Sequence, residues 1–327
     1  MENRIASYTA ASVFPAKILV NQELMREITE EKKIPPIHVQ LNPTNRCNMN
    51  CPFCSCSARD KRLELSYDEI IDIMIKTRRA GCKSVTITGG GEPLMHPRIF
   101  DIIREIKDMG MEIGLVTNGL LLGEVPMETF SRMTWIRISS GDHRSFRDRY
   151  QQSIKNAVER GRNVDWSFSH VVARKPNYET IGGIIRFANE NAFTHVRLVS
   201  DLLDLEASRD MESIRHKLRQ KGIDDKLVIY QGRKSYTHGS PKCLISLLKP
   251  VVGADGYLYP CCGTQYALET PGRDYEKTMR MGPARDIDKL YEMQKCFDGS
   301  VCVRCYYSDY NKALEILLSD IKHKVFV

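Results

Sequence analysis

The chain has 327 residues, 42% hydrophobic and 27% charged, which suits a globular protein of one large domain or a barrel with a small appendage. No apolar run reaches bilayer-spanning length, and the N-terminus (Glu2, Arg4, then an apolar stretch broken by Pro15 and Lys17) is not a signal peptide, so a cytoplasmic protein without a membrane partner is expected. The net charge, 48 − 41 = +7, permits an anionic or nucleic-acid partner, but there is no block of like charge to demand one.

Residues 1–36 read as an N-terminal extension with a short helix around Gln22–Glu31, ending at Pro35-Pro36. A strand–helix rhythm follows. Strands are predicted at Ile37–Asn42, Val85–Thr88, Glu112–Thr117, Trp135–Ser139, Asp165–Val172 and His195–Ser200. Helices are predicted at Tyr67–Ala80, Ile99–Met109, around Ser153–Arg160, at Tyr178–Asn191 and at Ser208–Gln220. Six such units predict an α/β fold with a parallel sheet and right-handed crossovers, too short for a closed eight-unit barrel. The expected architecture is a partial (β/α)6 TIM-like barrel over 37–235, with functional residues at the C-terminal strand ends.

Beyond Lys226 the texture changes. Lys226–Gln231 can form one more strand, and Pro250–Pro260 reads as a hairpin turning at Asp255-Gly256. Cysteines recur at 243, 261, 262, 296, 302 and 305, so a small cluster-binding domain, a β-hairpin plus helix, is placed at 236–306, with a C-terminal helix over 307–327.

Eleven cysteines in a reducing compartment point to metal or catalysis rather than disulfides. Cys47, Cys51 and Cys54 lie on the loop after the first strand. Three thiolates so close in sequence can hold three irons of a cubane and leave the fourth open. A zinc site is the alternative, with Cys56 as a fourth thiolate. Cys243, Cys261, Cys302 and Cys305 make a second set that can close a cubane or, ending in C-x2-C, bind zinc; Cys262 can replace Cys261. Cys296 is read as a buried core thiol, and Cys82 as structural at the far end of the barrel.

Alternation along the strands sorts the interior. Ile136 and Ile138 should pack under helices. Gln40, Arg137, Ser139, Ser167, Ser169 and Arg197 should face a polar lumen. Either arginine can grip a carboxylate or an anionic substrate, or form an internal ion pair or a solvated rim.

The C-x3-C-x2-C spacing, with Phe53 before the third cysteine, resembles the signature of the radical S-adenosylmethionine (SAM) superfamily. Thr88-Gly89-Gly90-Gly91-Glu92-Pro93 at the end of the second strand is similar to its GGE motif. That resemblance implies that Gly90, Gly91 and Glu92 hold the amino group of SAM's methionine, and that Phe53, Asn118, Arg137, Ser139, Ser167 and Ser169 complete its site. Two departures stand out: Ser140-Gly141-Asp142 replaces a common Leu-Asp-Gly, and Gln40 lies where Glu is frequent. The later cysteines resemble a twitch domain, a shortened SPASM domain with one auxiliary [4Fe–4S] cluster.

The resemblance, over about residues 37–306, implies an oxidoreductase. A reductant such as flavodoxin or ferredoxin reduces the first [4Fe–4S] cluster, SAM is cleaved, and the 5′-deoxyadenosyl radical takes hydrogen from a small polar substrate (a sugar, aminocyclitol or nucleotide). The auxiliary cluster then accepts an electron. A peptide or nucleic-acid substrate is the alternative, and a non-catalytic metal-binding protein the alternative of another class. Cys56, Cys262 and Arg197 are the candidate catalytic residues, either thiol being a possible hydrogen-atom donor.

Overall fold

The structure, a computed structural model, describes residues 16–141, 146, 148–204, 210–232, 236–271 and 274–322. Short helices α1 (Ala16–Leu19) and α2 (Gln22–Thr29) precede the repeating units. Then come β1 (His38–Leu41), α3 (Tyr67–Arg79), β2 (Ser84–Ile87), α4 (Ile99–Asp108), β3 (Glu112–Thr117), α5 (Met127–Phe130), β4 (Trp135–Gly141), α6 (Asp148–Arg160), β5 (Asp165–Val172), α7 (Tyr178–Glu190), β6 (His195–Ser200), α8 (Met211–Gln220) and β7 (Val228–Gln231). The C-terminal part holds α9 (Ile245–Leu248), β8 (Val251–Val252), β9 (Tyr257–Tyr259), α10 (Thr264–Ala267), α11 (Tyr275–Thr278), β10 (Gly282–Pro283), α12 (Ile287–Glu292) and α13 (Ser308–Leu318).

Local chemistry sets the boundaries. Ser66 and Glu69 form a capping box at the start of α3, and Asn177 caps α7. Gly81 and Gly110 carry the positive φ angles that stop α3 and α4. The expected start of α8, residues 208 and 209, and the expected end of the C-terminal helix at Phe326 lie outside the described residues; α13 ends at Leu318.

Strands β1 to β7 are parallel neighbours in chain order, and the sheet is not closed. The seventh strand continues the barrel beyond the expected six units. Ile136, Ile138, Trp166 and Phe168 point outward and are buried under the helices, where Phe168 stacks on Phe193 at 4.7 Å. Hairpin β8–β9, turning through Gly253–Gly256, is no detached module. β8 pairs with β1 in parallel (Gln40 with Val251, Leu41 with Val252), so the hairpin extends the barrel's own sheet. The segment before β1 also meets the C-terminal part: Lys32 Nζ donates to the Ser319 carbonyl, and the Ile34 amide donates to Gln294 Oε1 at 2.8 Å.

Candidate active site: two cysteine sets and the barrel lumen

The loop carrying Cys47, Cys51 and Cys54 leaves the C-terminal end of β1, with all three thiols half-buried. It sits directly on the glycine run that follows β2. The Gly91 amide donates to the Thr44 carbonyl and the Glu92 amide to the Arg46 carbonyl at 2.7 Å. A Cβ on Gly90 would lie 1.9 Å from Asn45 Oδ1, and one on Gly91 1.9 Å from the Arg46 carbonyl oxygen. At Gly91 glycine is thus demanded by close approach of two backbones, whereas at Gly90 the neighbour is a side chain.

Glu92 is 2% exposed. Its carboxylate accepts from the Leu94 amide, from Thr117 Oγ1 at 2.7 Å and from the Asn118 amide at 2.7 Å. The side chain therefore joins the ends of β2 and β3. The amide of Asn118 reaches on to Asn48 Oδ1 at 2.7 Å, and Phe53 is half-buried in the turn between Cys51 and Cys54.

Sequence reasoning missed two arginines here. Arg46 donates to Glu64 Oε2 and to the Met95 carbonyl, pinning the loop to the segment after the glycines. Arg59 is buried and donates to the Asn45 and Cys56 carbonyls and, at 3.6 Å, to Cys54 Sγ. Only the fold reveals Arg59, because an arginine in a charged stretch ordinarily reads as surface. Cys56 is 3% exposed, lies against Tyr275, and has its thiol pushed up to about 12, first by burial and then by Cys54. It lines neither of the cavities described below.

The second set gathers around one small pocket. Cys243, Cys261, Cys302 and Cys305 all line it, with Gly239, Gly263 and Gly299 between them. A Cβ on Gly239 would lie 2.9 Å from Cys302 Cβ, and one on Gly263 or Gly299 would lie 3.4 Å from Cys261 Sγ or Cys243 Cβ. These glycines keep clear a cradle that four thiolates share, and that donor set fits a fully ligated [4Fe–4S] cluster. At the loop, three thiols and a glycine platform fit a cluster with one open iron. Among the described residues, no three His, Cys, Asp or Glu side chains are gathered tightly around a single ion. Cys262 turns away from the pocket, and its Sγ lies 3.1 Å from Tyr307 Oη. Cys296 is half-buried at the core margin rather than within it, because it lies in the exposed turn after α12. Cys82 is fully buried and donates to the Ser84 carbonyl at the foot of β2.

The barrel interior is a cavity of about 740 Å³ that reaches the N-terminal strand ends at His38, Ser84, Glu112 and Asp165, and the loop of the first cysteine set does not line it. Gln40, Arg137, Ser167 and Arg197 line it. Register places Ser139 beside Ser169, and Ser169 beside Arg197, on the same face of the sheet. The C-terminal part completes the wall with Lys249, Cys262, Tyr266, Tyr306 and Tyr307. Tyr306 and Tyr307 also line the four-cysteine pocket, so a single layer of side chains separates it from the lumen. A smaller cavity of about 310 Å³ lies above and is bordered by Asn45, Gly90, Cys261, Cys262 and Tyr275; Gln40 and Cys262 form the wall common to both cavities.

Residues 41–188 match the family model described as the Radical SAM superfamily. That stretch is a radical SAM domain, and the family uses a [4Fe–4S] cluster and S-adenosylmethionine. A probable GTP 3′,8-cyclase of Sulfurisphaera tokodaii is 26% identical over 306 residues, covering 86% of this chain and 93% of the relative. A probable GTP 3′,8-cyclase of Pyrococcus abyssi is 28% identical over 190 residues, where the match spans 55% of this chain and 60% of the relative. Among solved structures, Streptococcus suis SuiB bound to its precursor peptide SuiA superposes with a TM-score of 0.59 at 16% identity, over 92% of this chain and 78% of that one, a likeness of fold. Among the described residues no helix is long and apolar enough to cross a membrane.

Proposed function

We propose that this radical SAM enzyme, with two [4Fe–4S] clusters, acts oxidatively on a small polar molecule (a sugar, aminocyclitol or nucleotide) held in the barrel lumen. The observation that supports this reading is the wall of Tyr306 and Tyr307, which line both the lumen and the four-cysteine pocket. When bound, the loop cluster and SAM supply a radical able to take hydrogen from an unactivated carbon.

The chain's own residues bind, orient and shield. Cys47, Cys51 and Cys54 hold the first cluster, and the glycine platform lets SAM lie close to backbone. Gln40, Arg137, Ser167 and Arg197 offer the lumen's hydrogen-bonding groups, and Ser139 and Ser169 share their face. Cys243, Cys261, Cys302 and Cys305 hold the auxiliary cluster as electron acceptor, close enough to the lumen for oxidation of a bound substrate. The aromatic wall keeps bulk water from the reacting centre.

Anaerobic reconstitution followed by iron and sulfide analysis tests the ligand sets, and addition of SAM with dithionite tests the chemistry. About eight irons per chain and release of 5′-deoxyadenosine are expected. Bound zinc without SAM cleavage would overturn the reading. Joint replacement of Cys47, Cys51 and Cys54 by Ala should abolish cleavage and leave about four irons in place.

A further inference from the structure

The lumen holds more positive charge than the protein neutralises. Arg137 on β4 and Arg197 on β6 enter it from the sheet, Lys17 from α1 and Lys249 from the segment between α9 and β8. Arg137 Nε is fully buried and has no hydrogen-bond partner. Its guanidinium packs over the Trp135 ring at 5.0 Å, and its tip faces the cavity. Arg197 donates to the neutral Gln231 Oε1, at 2.6 Å from Nη2, and lies near the Cys262 thiol and the Tyr307 hydroxyl, with no carboxylate partner among the described residues.

The described charges acting on Arg137 and Lys17 are further cations: Arg197 on the first, Lys249 and Arg137 on the second. Two carboxylates reach the cavity's edge, on Glu112 and Asp165, the first residues of β3 and β5. Glu112 is taken by Lys107 and Thr134, and Asp165 is exposed. Lys17 is exposed at the rim, but the two arginines reach inward, and enclosed, unpaired cations are costly, so a protein that sets them against an open cavity has left room for a counter-charge.

SAM is a poor candidate for that counter-charge, since its amine and sulfonium outweigh its carboxylate. A phosphate ester, with about two negative charges and several acceptor oxygens, suits paired guanidiniums far better. Arg137 and Arg197 lie two strand spacings apart and two residues out of register, about 12 Å at the backbone, which leaves space for such a group between their tips. We propose that the lumen is an anion seat in which Arg137 and Arg197, with Lys17 and Lys249, hold the phosphate of a phosphorylated small molecule. That this molecule is the enzyme's substrate rests on the functional reading above; the seat itself does not.

Inorganic pyrophosphate, titrated calorimetrically into the reconstituted protein at constant ionic strength, is the test. Saturable one-to-one binding is expected. Arg137→Gln should weaken it by about tenfold or more. The same variant should melt higher than wild type without pyrophosphate, because an unpaired buried charge is gone. Lys249→Gln, outside the sheet, should weaken pyrophosphate in the same direction. No saturable binding, or unchanged affinity in both variants, overturns the proposal. So does competition between SAM and pyrophosphate with joint loss in Arg137→Gln, which would assign the seat to SAM's carboxylate. Failure of the functional reading has a separate signature: pyrophosphate binds, yet SAM and dithionite yield no 5′-deoxyadenosine.

Discussion

The side-chain amide of Asn118 donates to Asn48 Oδ1 at 2.7 Å, tying the end of β3 to the loop that carries Cys47, Cys51 and Cys54. Because the Asn118 backbone amide also donates to Glu92, two strand ends and the cysteine loop share one polar junction. Asn118→Ala should cost about 1 kcal/mol of loop ordering, the net worth of an ordinary hydrogen bond. The expected outcome is a loop cluster lost several-fold faster to a chelator, followed by iron release, with the auxiliary irons retained at the wild-type rate.

Gly91→Ala should be far harsher. The new Cβ meets the Arg46 carbonyl oxygen at 1.9 Å, and neither backbone is free to yield. Loss of the loop cluster with the auxiliary cluster intact is expected by iron analysis. Gly123→Ala is the control, since its Cβ finds nothing nearer than Ser153 Oγ at 3.8 Å.

Glu92→Gln places an amide donor where the carboxylate now accepts from the Leu94 and Asn118 amides and from Thr117 Oγ1. Leaving one buried donor without an acceptor costs about 1–3 kcal/mol. Denaturant unfolding should show a lower midpoint at an unchanged m-value; equal midpoints would mean that Glu92 is not the tie between β2 and β3.

Cys261 and Cys262 should separate cleanly. Cys261 lines the four-cysteine pocket, whereas Cys262 points to Tyr307 Oη. Cys261→Ala should drop about four irons per chain and Cys262→Ala none. The reverse pattern would exchange their roles.

His38 supplies a pH dependence. It is held well below its usual range, first by burial and then by the positive charge of Lys249 and Lys17, and its Nε2 has no partner. A folded-state pKa below the unfolded value means that the unfolded chain takes up the proton first. Stability is therefore full above about pH 6.5 and falls by up to about 1.4 kcal/mol per pH unit below it. His38→Gln should flatten the melting temperature against pH between about 6.5 and 5; an unchanged slope would assign it to other groups.

The alternating units were legible because apolar period and glycine stops repeat strongly. β3, β5 and β6 fall on their expected bounds, and Ile136, Ile138, Trp166 and Phe168 occupy the outward face that alternation predicts. The inward set of Gln40, Arg137, Ser167 and Arg197 follows from the same parity. Tertiary facts were not legible. Nothing local announces that β8 pairs with β1, because two valines carry little register information. Nor does it announce that Arg59 folds back under Cys54, or that Lys17 in the N-terminal extension enters the lumen. Each depends on where distant segments are laid.

The pairing of β8 with β1 fixes more than the sheet's edge. The loop of Cys47, Cys51 and Cys54 hangs from the end of β1, and Cys261 follows β9, which pairs with β8. The first cysteine loop and Cys261 are thus mounted on one rail of hydrogen-bonded strands, so interstrand spacing helps to set their separation. Severing the chain ahead of the hairpin would strip β1 of a flanking strand, and a barrel expressed alone should be the less rigid holder of its own first cluster.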